Sequence, residues 1–226
     1  MPFGIDRGVM ARNALLALAV VGTLVLVWLA LRPPEPAAAV AVSYDGGPAA
    51  LFVTGGTLDE RMTSDVAHQL RWNTHVVVRD GSGLTRAAVP GDAALGPALR
   101  GGGIPLTGDV IVVQGGEVDA HAQPATITVG TVHLVDYLIT YKPAGTVLVL
   151  VGPIPKSPAL AAGYAAVDQM MAQVATGRHL PYVDPVAEGW TTTDPDLAEK
   201  LAARLRAAAA TAPVGREVMV EPTTAG

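Results

Sequence analysis

The sequence predicts an α/β fold: a parallel sheet covered on both faces, giving three layers. Four or five near-continuous apolar runs are each followed by a helical pattern, and three of the runs end in glycine-rich turns. Runs without polar alternation suit strands buried on both faces, and strand–helix alternation suits a parallel sheet. In such sheets, ligands bind outside the carboxyl ends of the strands, which is where these glycines fall.

Taken in order, Leu51-Phe52-Val53-Thr54 reads as a short buried strand, and Asp59 to Trp72 as a helix with Met62, Val66 and Leu70 in register. "THVVVRDGSG" is a second strand, and Ala87 to Gly103 a loose connection broken by glycine and proline. "GDVIVVQGGEVDA" is a third strand, running into Gly115-Gly116. Ile127 to Tyr141 has helical spacing through Val132, Val135, Leu138 and Ile139. "GTVLVLVGPIP" is a fourth strand, Pro158 to Ala175 an Ala/Met-rich helix, and "LPYVDPV" a short fifth strand. A last helix runs from Asp194 to Ala210, with Thr193 or Asp194 as N-cap and Pro195 in its first turn.

Composition narrows the function. The 226 residues carry a net charge of −5 without a basic stripe, which disfavours nucleic acid as a partner. With no cysteine, disulfides, thiolate catalysis and cysteine-ligated metals are excluded. No GxGxxG or GxxxxGK[ST] motif opens a helix, so no nucleotide cofactor is expected, nor any other. Ala14 to Leu31, "ALLALAVVGTLVLVWLAL", is uncharged and covers roughly 27 Å as a helix, enough to cross a bilayer core. Arg7 and Arg12 precede it and favour a cytoplasmic N-terminus. The organisation expected is therefore a cytoplasmic segment 1–12, a transmembrane signal anchor 13–32, a Pro/Ala-rich linker 33–48, a folded domain 49–210 and a flexible tail 211–226. A cleaved signal peptide ending in "PAAAVAVS" is the alternative, and would make the protein secreted.

With Gly55-Gly56-Thr57-Leu58, "RDGSGLT" and Gly116-Glu117-Val118-Asp119 at its three glycine turns, the chain resembles the SGNH/GDSL hydrolase family, whose fold is a flavodoxin-like three-layer α/β/α sandwich and whose members deacylate esters on lipids, sugars or cell-wall polymers. Gly55-Gly56-Thr57-Leu58 stands where that family places Gly-Asp-Ser-Leu, with threonine at the nucleophile's position. "RDGSGLT" resembles the second block, which implies Gly81 or Gly83 as an oxyanion donor. Gly116-Glu117-Val118-Asp119 resembles the Gly-x-Asn-Asp block, with valine in place of asparagine; a start at Gly115 would instead put Glu117 there and displace Asp119. The resemblance covers about Ala49 to Ala210. The family's last block, Asp-x-x-His, is not matched: "VDPVAEGWTTTDPDLAEKL" offers Asp184, Glu188 and Asp194 but no histidine.

Geometry restricts the substitutes. His75 and His179 are expected at the amino ends of strands, His68 roughly 14 Å along the first helix, and His133 inside a later helix. Only His121 is expected at the correct edge, so Thr57 and His121 are the candidate catalytic pair. Gly56, Gly81, Gly83, Gly116 and Asp119 are the candidate oxyanion or ligand-binding residues.

A threonine hydroxyl attacks only when a neighbouring base activates it. Without one, Thr57 is expected to satisfy backbone groups at the start of the first helix. Asp59, Glu60, Glu117, Asp119 and His121 offer oxygen and imidazole ligands for a hard metal, but acidic residues also favour helix starts, and no metal is expected. Trp72 and Trp190 read as core or loop anchors. The function expected is a membrane-anchored, extracytoplasmic protein, catalytically degenerate, that binds an envelope glycan, lipid or protein partner. The alternative is an active esterase or acyltransferase on envelope lipid or glycan esters, using Thr57.

Overall fold

The computed structural model describes residues 44–79, 81–87, 93–102 and 104–211, together with Thr23. The chain divides into Met1–Glu35 and Pro36–Gly226, and all described residues except Thr23 belong to the second unit. Apart from Thr23, the expected span Ala14 to Leu31 lies outside the described residues, as do most of the linker and the tail. Among the described residues no helix is long and apolar enough to cross a membrane.

Five strands form one parallel sheet: β1 (Ala49–Thr54), β2 (Asn73–Val78), β3 (Val110–Gln114), β4 (Val147–Val151) and β5 (Tyr182–Val183), in the order β2-β1-β3-β4-β5. The helices are α1 (Glu60–Leu70), α2 (Leu95–Gly101), α3 (Pro124–Tyr141), α4 (Pro158–Gly177) and α5 (Leu197–Thr211). Alternate strand residues feed the two faces. Ala50, Phe52, Val110, Val112, Val149 and Val151 pack with Val66, Leu70, Leu201 and Leu205 of α1 and α5. Leu51, Val53, Ile111, Val113, Leu148 and Leu150 pack with Leu95, Leu134 and Met171 of α2, α3 and α4. Each such side chain, fully buried, contributes about 1.5–3 kcal/mol. This two-sided burial is why the strands read as unbroken apolar runs.

Three local expectations are corrected. The connection Ala87 to Gly103 contains α2, because Pro97 falls in its first turn, where no intrahelical N–H is required. The last helix begins at Leu197 rather than Asp194, whose carboxylate turns back to accept from Thr191 N (3.2 Å) and Oγ1 (2.9 Å). The cap expected of Thr57 belongs to Asp59, whose Oδ1 accepts from Met62 N at 2.7 Å. Trp72 and Trp190, 6% and 5% exposed, are anchors of the α1/α5 face.

Candidate functional site

The strand order places a crevice. From β1 the chain crosses by α1 to β2 on one side, while β3, the other neighbour of β1, leads into α3 on the opposite face. In sheets of this kind, ligands bind outside the carboxyl ends of the strands at such a switch point, here β1 and β3. Thr57 follows β1, and the 3-10 turn Glu117–Asp119 follows β3, so the two flank this opening.

The first turn is built from backbone and Gln114. Gly55 N donates to Gln114 O (3.1 Å), and a Cβ on Gly55 would lie 2.1 Å from Ser82 O, so only glycine fits there. Gln114 Oε1 accepts from Thr54 Oγ1 (3.0 Å) and Leu58 N (3.4 Å), and Leu58 is wholly buried beneath the turn. Thr57 is thereby held between a fixed strand end and a fixed apolar anchor. Gly56 is exposed, with open space where a side chain would project. Thr57 N–H has no acceptor among the described residues.

Glu117 is the side chain that reaches Thr57. Its Oε1 accepts from Ile154 N (3.1 Å) and from Gln114 Nε2. Burial pushes its pKa up, and hydrogen bonding from its own backbone, the Thr57 side chain, Ile154 and Gln114 opposes the rise. Gly116 makes this turn possible at φ 109°; a Cβ there would sit 2.7 Å from Val167 Cγ1. Sequence reasoning named Glu117 only as a conceivable metal ligand or as the asparagine's replacement in a shifted block. In space it stands beside the threonine.

Asp119, which sequence reasoning placed among the ligand-binding residues, faces the other way. It is fully buried and accepts from Leu84 N (2.6 Å), Thr85 N (3.1 Å) and Thr85 Oγ1 (2.5 Å). It clamps the second turn to the third. Gly83 N donates to Arg86 O (2.7 Å), so that N–H is committed inside the turn and does not face an oxyanion. Gly81, at φ 70°, has no backbone acceptor for its N–H among the described residues and stays the donor candidate of that turn.

Among the described residues, no hydrogen bond joins a histidine to Thr57. His121 is exposed beyond the 3-10 turn, and His75, His133 and His179 are exposed as well. His68 Nδ1 bonds Tyr44 OH at 2.6 Å, at the far end of α1. The carboxylates of the last block are engaged elsewhere. Asp184 Oδ1 accepts from Ala187 N (2.7 Å), Glu188 pairs with Arg204, and Asp194 pairs with Lys200 (3.5 Å). Hydrogen bonds from Thr191 hold the Asp194 carboxyl below its ordinary range. Among the described residues, no three acidic or histidine side chains converge as a metal would require.

A third buried carboxyl lies at the same sheet edge. Asp168 of α4 accepts from Tyr182 OH (2.7 Å), under Gly152, where a Cβ would meet both groups within 2.5 Å. Burial, with Asp184 facing it, pushes Asp168 up to about 6, and the same burial raises the Tyr182 hydroxyl.

Comparison with solved structures shows the fold. No protein-family profile matches the sequence, and no curated protein is significantly similar. The aryl esterase of M. smegmatis is 18% identical, with 71% of this chain and 99% of that chain covered and a TM-score of 0.54. A lipase/acylhydrolase from Enterococcus faecalis is 12% identical, covering 74% and 98% at TM-score 0.51. A family two carbohydrate esterase from Clostridium thermocellum in complex with cellohexaose is 14% identical, covering 70% and 63% at TM-score 0.50. The chain has an SGNH-hydrolase-like fold, shared with these esterases.

Proposed function

We propose that this protein is a membrane-tethered, extracytoplasmic relative of the SGNH esterases that holds a cell-envelope ligand at the carboxyl edge of its sheet without hydrolysing it. The observation that carries this reading is the partner of Thr57: the buried carboxyl of Glu117 stands there, and no imidazole does. An unactivated threonine hydroxyl is a weak nucleophile, and the added methyl crowds its approach. Loss of an asparagine donor from the oxyanion hole costs about 10²–10³ in rate. The frame is nonetheless retained: Gly55, Gly116 and Asp119 hold three turns around an open Gly56. The complex of the Clostridium thermocellum esterase with cellohexaose makes a glycan the favoured class of ligand. The N-terminal apolar run and its preceding arginines support the tether.

The test is turnover of short-chain aryl esters and an acetylated glycan by wild type and Thr57→Ala. Equal, background rates are expected, whereas a Thr57-dependent burst of product overturns the reading. Recovery of the chain in the membrane fraction, with its C-terminal domain digested by protease added outside intact cells, is expected of the tether.

The nearness of Thr57 to Glu117 favours one second reading, in which the ionised Glu117 is the base for a threonine esterase. Its rate would rise with pH through the titration of Glu117 and vanish in Glu117→Gln.

A further inference from the structure

The amino edge of the sheet carries a surface patch far from the crevice. Parallel strands all start at this edge, so the helices that precede them end there: α2 before β3, α3 before β4 and α4 before β5. Among the described residues, two of the four exposed large hydrophobic side chains lie in the last turn of α3, Ile139 (38% exposed) and Tyr141 (65%). The Tyr141 ring packs against Tyr137, 4.9 Å between centroids, and the Arg100 guanidinium at the end of α2 lies 6.0 Å from the Tyr137 ring. Lys142 follows α3, its Nζ donating to Thr146 O at 2.7 Å, and Arg178 follows α4, paired with Asp136 at 2.7 Å. The helix macrodipole favours cations at C-termini, which accounts for Arg100, Lys142 and Arg178. It does not account for an isoleucine and a tyrosine left exposed beside them.

The chain enters the domain at this same edge. Ala49, the first residue of β1, donates its N–H to Asp109 Oδ2 at 2.8 Å, and Asp109 O accepts from Val147 N at 2.8 Å. Thr146, beside Val147, donates from Oγ1 to Gly108 O at 2.7 Å, and its own carbonyl holds Lys142. A run of hydrogen bonds and adjacent residues thus joins the end of the linker to the patch. Residues 33–48 span at most about 55 Å fully extended, which keeps a tethered domain within reach of the bilayer. Resting on the tether proposed above, we infer that the amino edge docks on the bilayer surface, with Arg100, Lys142 and Arg178 against anionic lipid headgroups and Ile139 and Tyr141 at the interface. Three cations face one carboxylate there, and each cation near an anionic surface strengthens attachment about fivefold. Tyrosine is favoured where membrane meets water. The crevice lies at the opposite ends of the strands, so docking turns it away from the membrane.

The chain has no cysteine, so a single introduced thiol reports on a single place. Thr140→Cys marks the patch, and Ala162→Cys marks the half of α4 nearer the crevice, about 22 Å along that helix from Gly177. Each full-length variant is labelled with bimane and reconstituted into nanodiscs of phosphatidylcholine, with or without about 30% phosphatidylglycerol, that carry a nitroxide quencher on the headgroup. The label on Thr140→Cys is expected to be quenched in anionic discs and released in neutral discs or at about 0.5 M salt, while that on Ala162→Cys stays unquenched throughout. Arg100→Gln in the Thr140→Cys background is expected to lower the ratio of docked to free domain about fivefold. Tyr141→Ser, which leaves the charge intact, is expected to lower it as well. Quenching on Thr140→Cys that ignores lipid charge and salt, its absence in every disc, or equal quenching on Ala162→Cys overturns the inference. Flotation with vesicles of the same two compositions separates docking from the tether. A chain that floats with both vesicles but shows no charge-dependent quenching keeps the tether and loses the docking. One that floats only with anionic vesicles loses the tether and keeps the docked face, and one that floats with neither loses both.

Discussion

Glu117 and Asp119 stand two residues apart in one 3-10 turn and are used in opposite ways. Asp119 accepts three hydrogen bonds from Leu84 and Thr85 and is sealed from solvent. Glu117 has one oxygen held by Gln114 and Ile154, and its carboxyl also meets the Thr57 side chain. Asp119 ties the second turn to the third, whereas Glu117 gathers Gln114, the Ile154 N–H and the Thr57 side chain at the first.

The sharpest way to break this contrast is to remove the clamp. Asp119→Ala leaves buried donors on Leu84 and Thr85 unpaired and is expected to cost about 4 kcal/mol, read by chemical denaturation. Glu117→Ala should cost about half as much, since it orphans Gln114 Nε2 and the Ile154 N–H at a crevice that water reaches. Equal costs would erase the distinction between the two carboxyls.

Asp168 supplies a third case, a carboxyl buried for neither clamp nor ligand. Its folded pKa of about 6 lies above the ordinary 3.8. A raised carboxyl pKa means that the folded state holds the proton more tightly, so its stabilising contribution is full below the unfolded value and is lost as pH rises through about 6. Asp168→Asn is expected to gain stability relative to wild type between about pH 4 and pH 8, by about 1–2 kcal/mol after discounting for solvent screening. Thermal melts across that range check the sign, and a variant that tracks wild type at every pH would contradict it. The smallest effect is expected at Thr57 itself. Because Asp59 is the helix cap, Thr57→Ala should change stability by no more than about 0.5 kcal/mol, whereas Asp59→Ala should cost about 1 kcal/mol.

Much of the fold was legible because two-sided burial leaves a direct trace: Leu51-Phe52-Val53 and Val147 to Val151 read as strands with no tertiary information. The glycine turns were legible for a related reason, since Gly55 and Gly116 occupy places where a Cβ collides. Helix α2 was hidden because Gly96 and Pro97 look like a break, yet proline costs little in a first turn. The site was harder. The direction of Glu117 depends on Gly116 adopting φ 109°, and two adjacent glycines leave the register open by one residue. The commitment of Gly83 N–H to Arg86 O depends on an isolated bridge between Ser82 and Ala87, which no periodicity signals. One clue was available: Gln114 and Glu117 lie three residues apart across the turn, a polar pair at the end of an otherwise apolar strand.

The most direct measurement of whether this edge can activate its threonine is covalent capture. Incubating the full-length chain with a fluorophosphonate and reading its intact mass should show no adduct under conditions that fully label a serine esterase. An adduct mapped to Thr57, and lost in Thr57→Ala, would show that a base reaches that hydroxyl after all.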